Sequence, residues 1–145
     1  TTGLLTPDEV EANLAIRLER QVAVFGREKS PVCTFILDEL ALLRGDPAVM
    51  KEQLAHLAAM AERPRVFVHV VPRSAGIYAG LMGNFILASL SGAGMVGFIE
   101  DQVAGKLITD PERLTTLNQT WDAVRSVALP RDMSWDLIRR MASEL

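Results

Sequence analysis

Residues 31–71 read PVCTFILDELALLRGDPAVMKEQLAHLAAMAERPRVFVHVV, with an apolar, β-branched run at each end. The first run, residues 31–37, and the second, residues 65–71, have the length and composition of buried strands. Between them, Asp46 and Pro47 form a helix-capping signal, after which apolar residues recur at helical spacing. A strand, a helix and a second strand in this order predict a right-handed crossover between parallel strands.

Helices and a hairpin are predicted on either side of this unit. Thr6-Pro7-Asp8-Glu9 has the pattern of a capping box and predicts a helix that Gly26 ends. Short apolar runs flank Ser91-Gly92-Ala93-Gly94, which is typical of a hairpin, and another short strand follows at 106–109. Two further helices are predicted after residue 110. We therefore predict an α+β fold with a small mixed β-sheet, in which a βαβ unit precedes an antiparallel hairpin or meander, packed against four main helices.

The composition fits a single domain over residues 1–145. There are 15 basic and 18 acidic residues, giving a net charge of -3, whereas duplex-binding domains usually concentrate basic residues on one face. The single cysteine, Cys33, excludes an internal disulfide and favours a reducing compartment, so we expect a cytoplasmic protein. No apolar run approaches the length that spans a bilayer, so we expect no membrane association.

Few side chains suit catalysis or metal binding. His69 lies within a predicted strand and His56 lies off the apolar stripe of its helix, so both are expected to be structural or solvent-facing. Cys33 has no adjacent basic residue that would stabilise a thiolate. We therefore predict no catalytic residue, no metal site and no cofactor, and hence a protein that is not an enzyme.

Carboxylates follow two of the predicted strands, at Asp38-Glu39 and at Glu100-Asp101. Such pairs can perform acid-base catalysis or hold Mg²⁺, so a metal-dependent hydrolase using Asp38 and Glu100 is an alternative function. We favour a simpler interpretation, because Asp38 can cap the following helical turn and the second pair can lie at a solvated turn.

A polar residue interrupts the apolar stripe of the first helix. Gln21 lies within that stripe and Arg17 at its edge. A buried, unpaired polar group costs about 1 to 3 kcal/mol, so Gln21 needs a partner if it is buried. Either Gln21 bonds to nearby backbone while Arg17 extends to solvent, or both pair with Asp38 or Glu100 in a polar network that joins helix and sheet.

Two segments are candidate binding surfaces. The glycine-rich stretch 74–83 lacks a phosphate-loop signature and is expected to be an ordered loop that could cover a ligand with Ile77, Tyr78, Leu81 and Met82. On the last helix, an apolar face either anchors a partner or closes the domain's own core, and its residues are Trp135, Ile138 and Met141.

Several short motifs occur in a specific order: Arg17-Leu18-Glu19-Arg20-Gln21, Leu37-Asp38-Glu39, Gln53-Leu54-Ala55-His56-Leu57, Val68-His69-Val70-Val71-Pro72-Arg73-Ser74-Ala75-Gly76 and Phe98-Ile99-Glu100. Over nearly the whole chain, this order resembles the C-terminal domain of actinobacterial Xre-type helix-turn-helix regulators. These regulators form an antitoxin-like group whose genes often neighbour one for a small partner protein.

The resemblance implies a transcriptional regulator whose DNA-binding helix-turn-helix domain lies upstream and is not present in this chain. The present domain would then regulate by binding a partner, expected to be a small protein encoded nearby, and DNA would be contacted only through the upstream domain. A small-molecule sensor is an alternative. We also expect a homo-oligomer.

Overall fold

The computed structural model describes residues 5–100 and 104–145, in which five α-helices, five strands and two short 3₁₀ turns follow one another. The helices are α1 (Pro7–Phe25), α2 (Glu39–Leu42), α3 (Pro47–Glu62), α4 (Pro111–Val127) and α5 (Arg131–Glu144). The strands are β1 (Cys33–Asp38), β2 (Val66–Val71), β3 (Phe85–Leu90), β4 (Gly94–Glu100) and β5 (Gly105–Ile108), and the 3₁₀ turns are Arg73–Ala75 and Ala79–Met82.

The strand pair predicted from residues 31–71 is present. β1 and β2 are parallel, and their register runs from Cys33 opposite Val66 to Asp38 opposite Val71. α3 makes the crossover, and it begins where predicted because the carboxylate of Asp46 accepts hydrogen bonds from the first free amides of the helix. The α+β class, the parallel pair and the antiparallel meander are confirmed.

The strands do not form the single mixed sheet that we predicted. In the described part of the chain, β1 pairs only with β2, while β3, β4 and β5 form a separate antiparallel sheet in that order. Alternating apolar residues indicate that a segment is a strand, but they do not specify which strand edges pair over long sequence distances. The facing edges of β1 and β3 are therefore left open.

The main core lies where α3 and α5 pack against the parallel pair. Leu54 of α3 and Val68 and Val70 of β2 are fully buried there, together with Ile138 of α5. Met141 belongs to the same buried cluster, and the half-buried Trp135 packs against it. The structure thus places Ile138 and Met141, two residues of the predicted apolar face of the last helix, in the domain's own core.

At Val70, the outer edge of β2 is hydrogen-bonded by the segment after α4 and by the first turn of α5. The amide of Val70 donates to Ser134 Oγ at 3.0 Å, and the amide of Leu129 donates to the Val70 carbonyl at 2.8 Å. Ser134 Oγ donates in turn to the Leu129 carbonyl at 3.1 Å. His69 Nδ1 lies 2.9 Å from that same carbonyl, which agrees with the structural role predicted for this histidine. Because this edge of β2 is occupied, the free edge of the parallel pair is that of β1.

α4 covers the antiparallel sheet, and Gly97 of β4 permits its close approach. A Cβ atom at Gly97 would lie 2.7 Å from Leu117 Cδ1 of α4. At the other end of this contact, the rings of Phe85 and Trp121 meet edge to face, with centroids 6.5 Å apart. Trp121 therefore stands beside β3, next to the opening between the two sheets.

Candidate functional site

An apolar groove of about 420 Å³ runs between the two sheets. One wall is the segment Val32–Leu37, which includes most of β1, and the other is the start of β3, residues 85–87. Trp121 and Asn118 of α4 line the groove between these walls. Both walls are strand edges that pair with no further strand in the described residues. A bound molecule can therefore contact unpaired backbone N–H and C=O groups as well as apolar side chains.

A second cavity, of about 210 Å³, extends the groove toward the carboxyl end of β1. The two cavities share Ile36, Phe85 and Trp121, and the second is also lined by Asp38 and Tyr78. We call the two cavities together the inter-sheet groove. The carboxyl ends of parallel strands are where open α/β sheets commonly bind ligands, so this end of the groove is suited to recognition.

Asp38 organises the polar end of the inter-sheet groove. Its Oδ1 atom accepts a hydrogen bond from the amide of Leu40 at 2.7 Å and caps α2, as predicted. Its Oδ2 atom accepts one from the Tyr78 hydroxyl at 2.8 Å. Burial, and then the hydrogen bond and negative charge of Asp38, raise the pKa of Tyr78 to about 12. Tyr78 is thus held as a neutral donor, and both oxygens of Asp38 are engaged.

The neighbouring carboxylate positions the loop that carries Tyr78. Glu39 Oε2 accepts a hydrogen bond from the amide of Arg73 at 2.8 Å, and the Arg73 side chain lies 3.9 Å from Glu39 Oε1. The loop that follows β2 is therefore attached to the end of β1 at two points. The pairing of Asp38 with Tyr78 was not predicted, because the two residues are 40 positions apart in sequence.

The predicted polar network is not formed among residues 5–100 and 104–145. Arg17 and Gln21 are exposed on α1, and no hydrogen bond or ion pair joins them to Asp38 or Glu100 in the described residues. Glu100 follows Ile99, the register partner of Phe85, so it lies at the end of the antiparallel sheet nearest Asp38. Asp38 lines the groove, whereas Glu100 lines neither cavity, and the expected partners of both lie elsewhere. Asp101 is outside the described residues.

The predicted ligand loop contributes a single side chain to the groove. Tyr78 lines it, whereas Ile77 is 96% exposed and Leu81 and Met82 are also exposed.

The residues predicted to be poor metal ligands are dispersed: His56 is exposed and Cys33 is half-buried. Within residues 5–100 and 104–145, no group of three or more His, Cys, Asp or Glu side chains could hold a metal ion.

Besides the inter-sheet groove, the surface of α1 is unusual. It starts at the predicted capping box, in which the amide of Thr6 donates to Glu9 Oε2 at 2.8 Å and that of Glu9 donates to Thr6 Oγ1 at 3.4 Å. Phe25, the last residue of α1, is attached to the end of α3. The Arg63 side chain donates a hydrogen bond to the Phe25 carbonyl at 3.2 Å, and its guanidinium lies over the Phe25 ring. Over the range 7–25, all of it described, no residue is buried. An apolar stripe is left exposed on this helix, formed by Leu14, Leu18 and Val22.

None of the described helices is both long enough and apolar enough to span a bilayer.

These features define an α+β domain in which a parallel strand pair and an antiparallel meander enclose an open groove. The chain belongs to the family described as a domain of unknown function, DUF5753, whose model matches residues 2–140. No curated protein and no solved structure matches the chain.

Proposed function

We propose that this chain is the regulatory, partner-binding C-terminal domain of a helix-turn-helix transcriptional regulator in the cytoplasm. The motifs that resemble Xre-type regulators support the class of protein. The observation that carries the binding role is the exposed apolar surface of α1 together with the inter-sheet groove. Monomeric domains seldom expose large apolar patches unless these contact another molecule.

α1 needs a contact outside its own chain. Most helices in proteins owe their stability to packing of an apolar face rather than to helix propensity alone. Leu14, Leu18 and Val22 form such a face, yet they remain exposed. Binding of a partner would supply the missing burial, which makes partner binding the natural activity of this surface.

DNA recognition is assigned to the upstream domain. Neutralising phosphate charge provides much of the affinity of DNA-binding proteins, and this chain has a net charge of -3. We propose that the regulator contacts its operator through the upstream helix-turn-helix. We propose further that a small protein encoded by a neighbouring gene acts on the present domain.

The decisive experiment measures operator binding by fluorescence anisotropy, using the intact regulator and a duplex from upstream of its own gene. We expect salt-sensitive, specific binding by the intact regulator, none by residues 1–145 alone, and a change in affinity when the neighbouring gene product is added. Specific binding by residues 1–145 alone would refute the assignment. A neighbouring protein that binds neither form would refute the partner role.

A small-molecule sensor is the second candidate, and the cavity beside Tyr78 and Asp38 favours it. The Tyr78 hydroxyl gives its one hydrogen to Asp38, so its oxygen is oriented to accept a hydrogen bond from a small polar ligand in this cavity. A thermal-shift screen tests this candidate, since a ligand that binds only the folded state stabilises it by an amount that grows with the logarithm of its concentration divided by its dissociation constant. A hit that Tyr78→Phe abolishes would support the sensor.

We propose that the domain is not an enzyme. Asp38, the carboxylate of the hydrolase alternative, already accepts hydrogen bonds from Leu40 and Tyr78 through its two oxygens. A panel of phosphoester, peptide and nucleotide substrates with Mg²⁺, Mn²⁺ or Zn²⁺ is expected to show no turnover. Specific turnover lost in both Asp38→Asn and Glu100→Gln would overturn this expectation.

A further inference from the structure

We propose that the inter-sheet groove is occupied by α1 of a second copy of this chain, so that two copies exchange their first helices. The inference rests on the proposed partner-binding function and names a second copy of this chain as the partner of both binding surfaces, α1 and the groove. It brings together the two features that the single chain leaves open, an apolar helix without a covering partner and an apolar groove without an occupant.

The helix and the groove match in length. The apolar stripe runs from Val10 to Val22, and a helix rises 1.5 Å per residue, so the stripe is about 18 Å long. The wall spans residues 32–37, five of which line the groove, and a parallel strand rises about 3.3 Å per residue, so the wall is about 20 Å long. Helix-in-groove recognition uses anchors on one face of the helix, and Leu14, Leu18 and Val22 lie on one such face at a spacing of four residues.

Charge is complementary at one end of the groove. Asp38 lines the groove at that end, Glu100 lies one strand further away at the end of β4, and Arg17 borders the apolar stripe of α1. Gln21, one turn from Arg17, lies within the stripe and would enter the groove, where Thr34 and Asn118 offer polar groups. The contact between Arg17, Gln21 and the strand-end carboxylates that the sequence predicts would thus form between copies instead of within one chain.

The area suits a weak, reversible dimer. A helix about 11 Å in diameter that buries one third of its circumference along a groove about 20 Å long covers about 230 Å². Reciprocal exchange buries two helices and two grooves, or about 900 Å², and interfaces below about 1,200 Å² are typical of weak, transient complexes. Two α1 helices paired face to face would bury only about half as much, so the groove is the better acceptor.

The arrangement within one chain favours exchange between copies. None of the described α1 residues lines its own groove. The contacts of Phe25 with Arg63 hold the carboxyl end of α1 against the core, and the segment 26–32 then leads directly into β1. A helix joined to its domain through a short connection is the type of element that identical chains exchange.

Two matched pairs of variants test the proposal on the 145-residue chain, with mass and dissociation constant measured by sedimentation. Leu18→Glu places a charge on the stripe, and its control, Ile16→Glu, places one on the opposite face; the two side chains are 52% and 47% exposed. Ile86→Glu places a charge in the groove, and its control, Leu107→Glu, lies on β5 outside it; these are 60% and 62% exposed. We expect a wild-type dimer, roughly tenfold or greater weakening by Leu18→Glu and by Ile86→Glu, and little change in either control.

Mixing the two weakened variants distinguishes exchange from other modes of association. The Leu18→Glu chain keeps an intact groove and the Ile86→Glu chain keeps an intact helix, so one of the two contacts reforms in the mixed dimer. We therefore expect the mixture to associate more tightly than either variant alone. Circular dichroism and cooperative unfolding establish that each variant is folded.

Three results would overturn the proposal: a monomeric wild-type chain up to about 100 µM, a dimer insensitive to Leu18→Glu, or a dimer lost in Leu18→Glu but retained in Ile86→Glu. The last result would indicate that α1 pairs with α1. If such a chain still bound the neighbouring gene product, the regulatory function would stand while the helix exchange failed. If the exchange were found but neither the neighbouring protein nor a ligand altered operator binding, the regulatory function would fail instead.

Discussion

The hydroxyl of Tyr78 donates a 2.8 Å hydrogen bond to Asp38 Oδ2, and this contact joins the loop after β2 to the carboxyl end of β1. The same carboxylate caps α2 through its other oxygen. One residue therefore connects the parallel strand pair, a helical turn and the glycine-rich loop. Ionisation of the phenol would place two negative charges in direct contact at this junction.

The titration of Tyr78 is predicted to affect stability in alkali. Its pKa is raised to about 12 in the folded chain, against an ordinary value of 10. The stabilising contribution is therefore complete below pH 10 and is lost as the pH rises through 12. Tyr78 is the only tyrosine, so tyrosinate absorbance follows this residue alone.

Tyr78→Phe is the matched variant, because it lacks the titrating hydroxyl and retains the ring. We expect it to lose about 0.5 to 1.5 kcal/mol of stability at neutral pH and to show a smaller fall in stability between pH 10 and 12. A wild-type absorbance midpoint near 10 would contradict the raised pKa.

Ser134→Ala is predicted to destabilise the domain by about 1 to 3 kcal/mol in urea unfolding. The buried hydroxyl accepts from the amide of Val70, and alanine would leave that amide without its partner. Ser143→Ala is the control on the same helix, since its exposed hydroxyl donates only to the carbonyl of Arg140. We expect the control to fall within about 0.5 kcal/mol of wild type. Equal effects of the two changes would argue against the closed edge of β2.

Gly97→Ala is predicted to weaken packing between β4 and α4 by about 1 to 3 kcal/mol. The added methyl group would lie 2.7 Å from Leu117 Cδ1 and 3.3 Å from Ile108 Cβ. Leu117→Ala removes the first of these obstacles, so the double variant is expected to lose less than the sum of the single losses. Strict additivity in the double-mutant cycle would show that Leu117 is not the side chain that excludes a larger residue.

Ile138→Ala is predicted to reduce stability by about 2 to 5 kcal/mol while leaving the association of the folded chain unchanged. Ile138 is fully buried against α3 and β2 and therefore cannot contact a partner directly. Met133→Ala, at an exposed position on the same helix, is the control and is expected to have a small effect. Loss of association with unchanged unfolding would place this face of α5 at an interface after all.

The local features of this fold were predictable from short stretches of sequence. Capping residues Thr6, Asp38, Asp46 and Asp110 each bond to an amide two or three residues ahead, so their effect requires no knowledge of the tertiary structure. The strands at 31–37 and 65–71 were likewise evident, because burial of both strand faces selects a continuous β-branched run. The helix predicted between the two strands indicated a crossover and hence parallel pairing. The observed register confirms the parallel pairing.

The candidate site depended on contacts between distant residues. Tyr78 meets Asp38 across 40 positions, and Ser134 closes the edge of β2 across 64, so neither contact leaves a periodic signal in the sequence. The division into two sheets was decided in the same way, since the closed edge of β2 and the open edges of β1 and β3 depend on elements far apart in the chain.

The sequence by itself therefore determined the class of fold, the order and bounds of most elements and the amphipathic stripe of α1, because these follow from interactions within a few residues. Tertiary structure alone decided that the stripe of α5 is buried while that of α1 is exposed. An apolar stripe is equally suited to a core and to a partner, and only the positions of β2 and α3 determine which of the two helices is covered by its own chain.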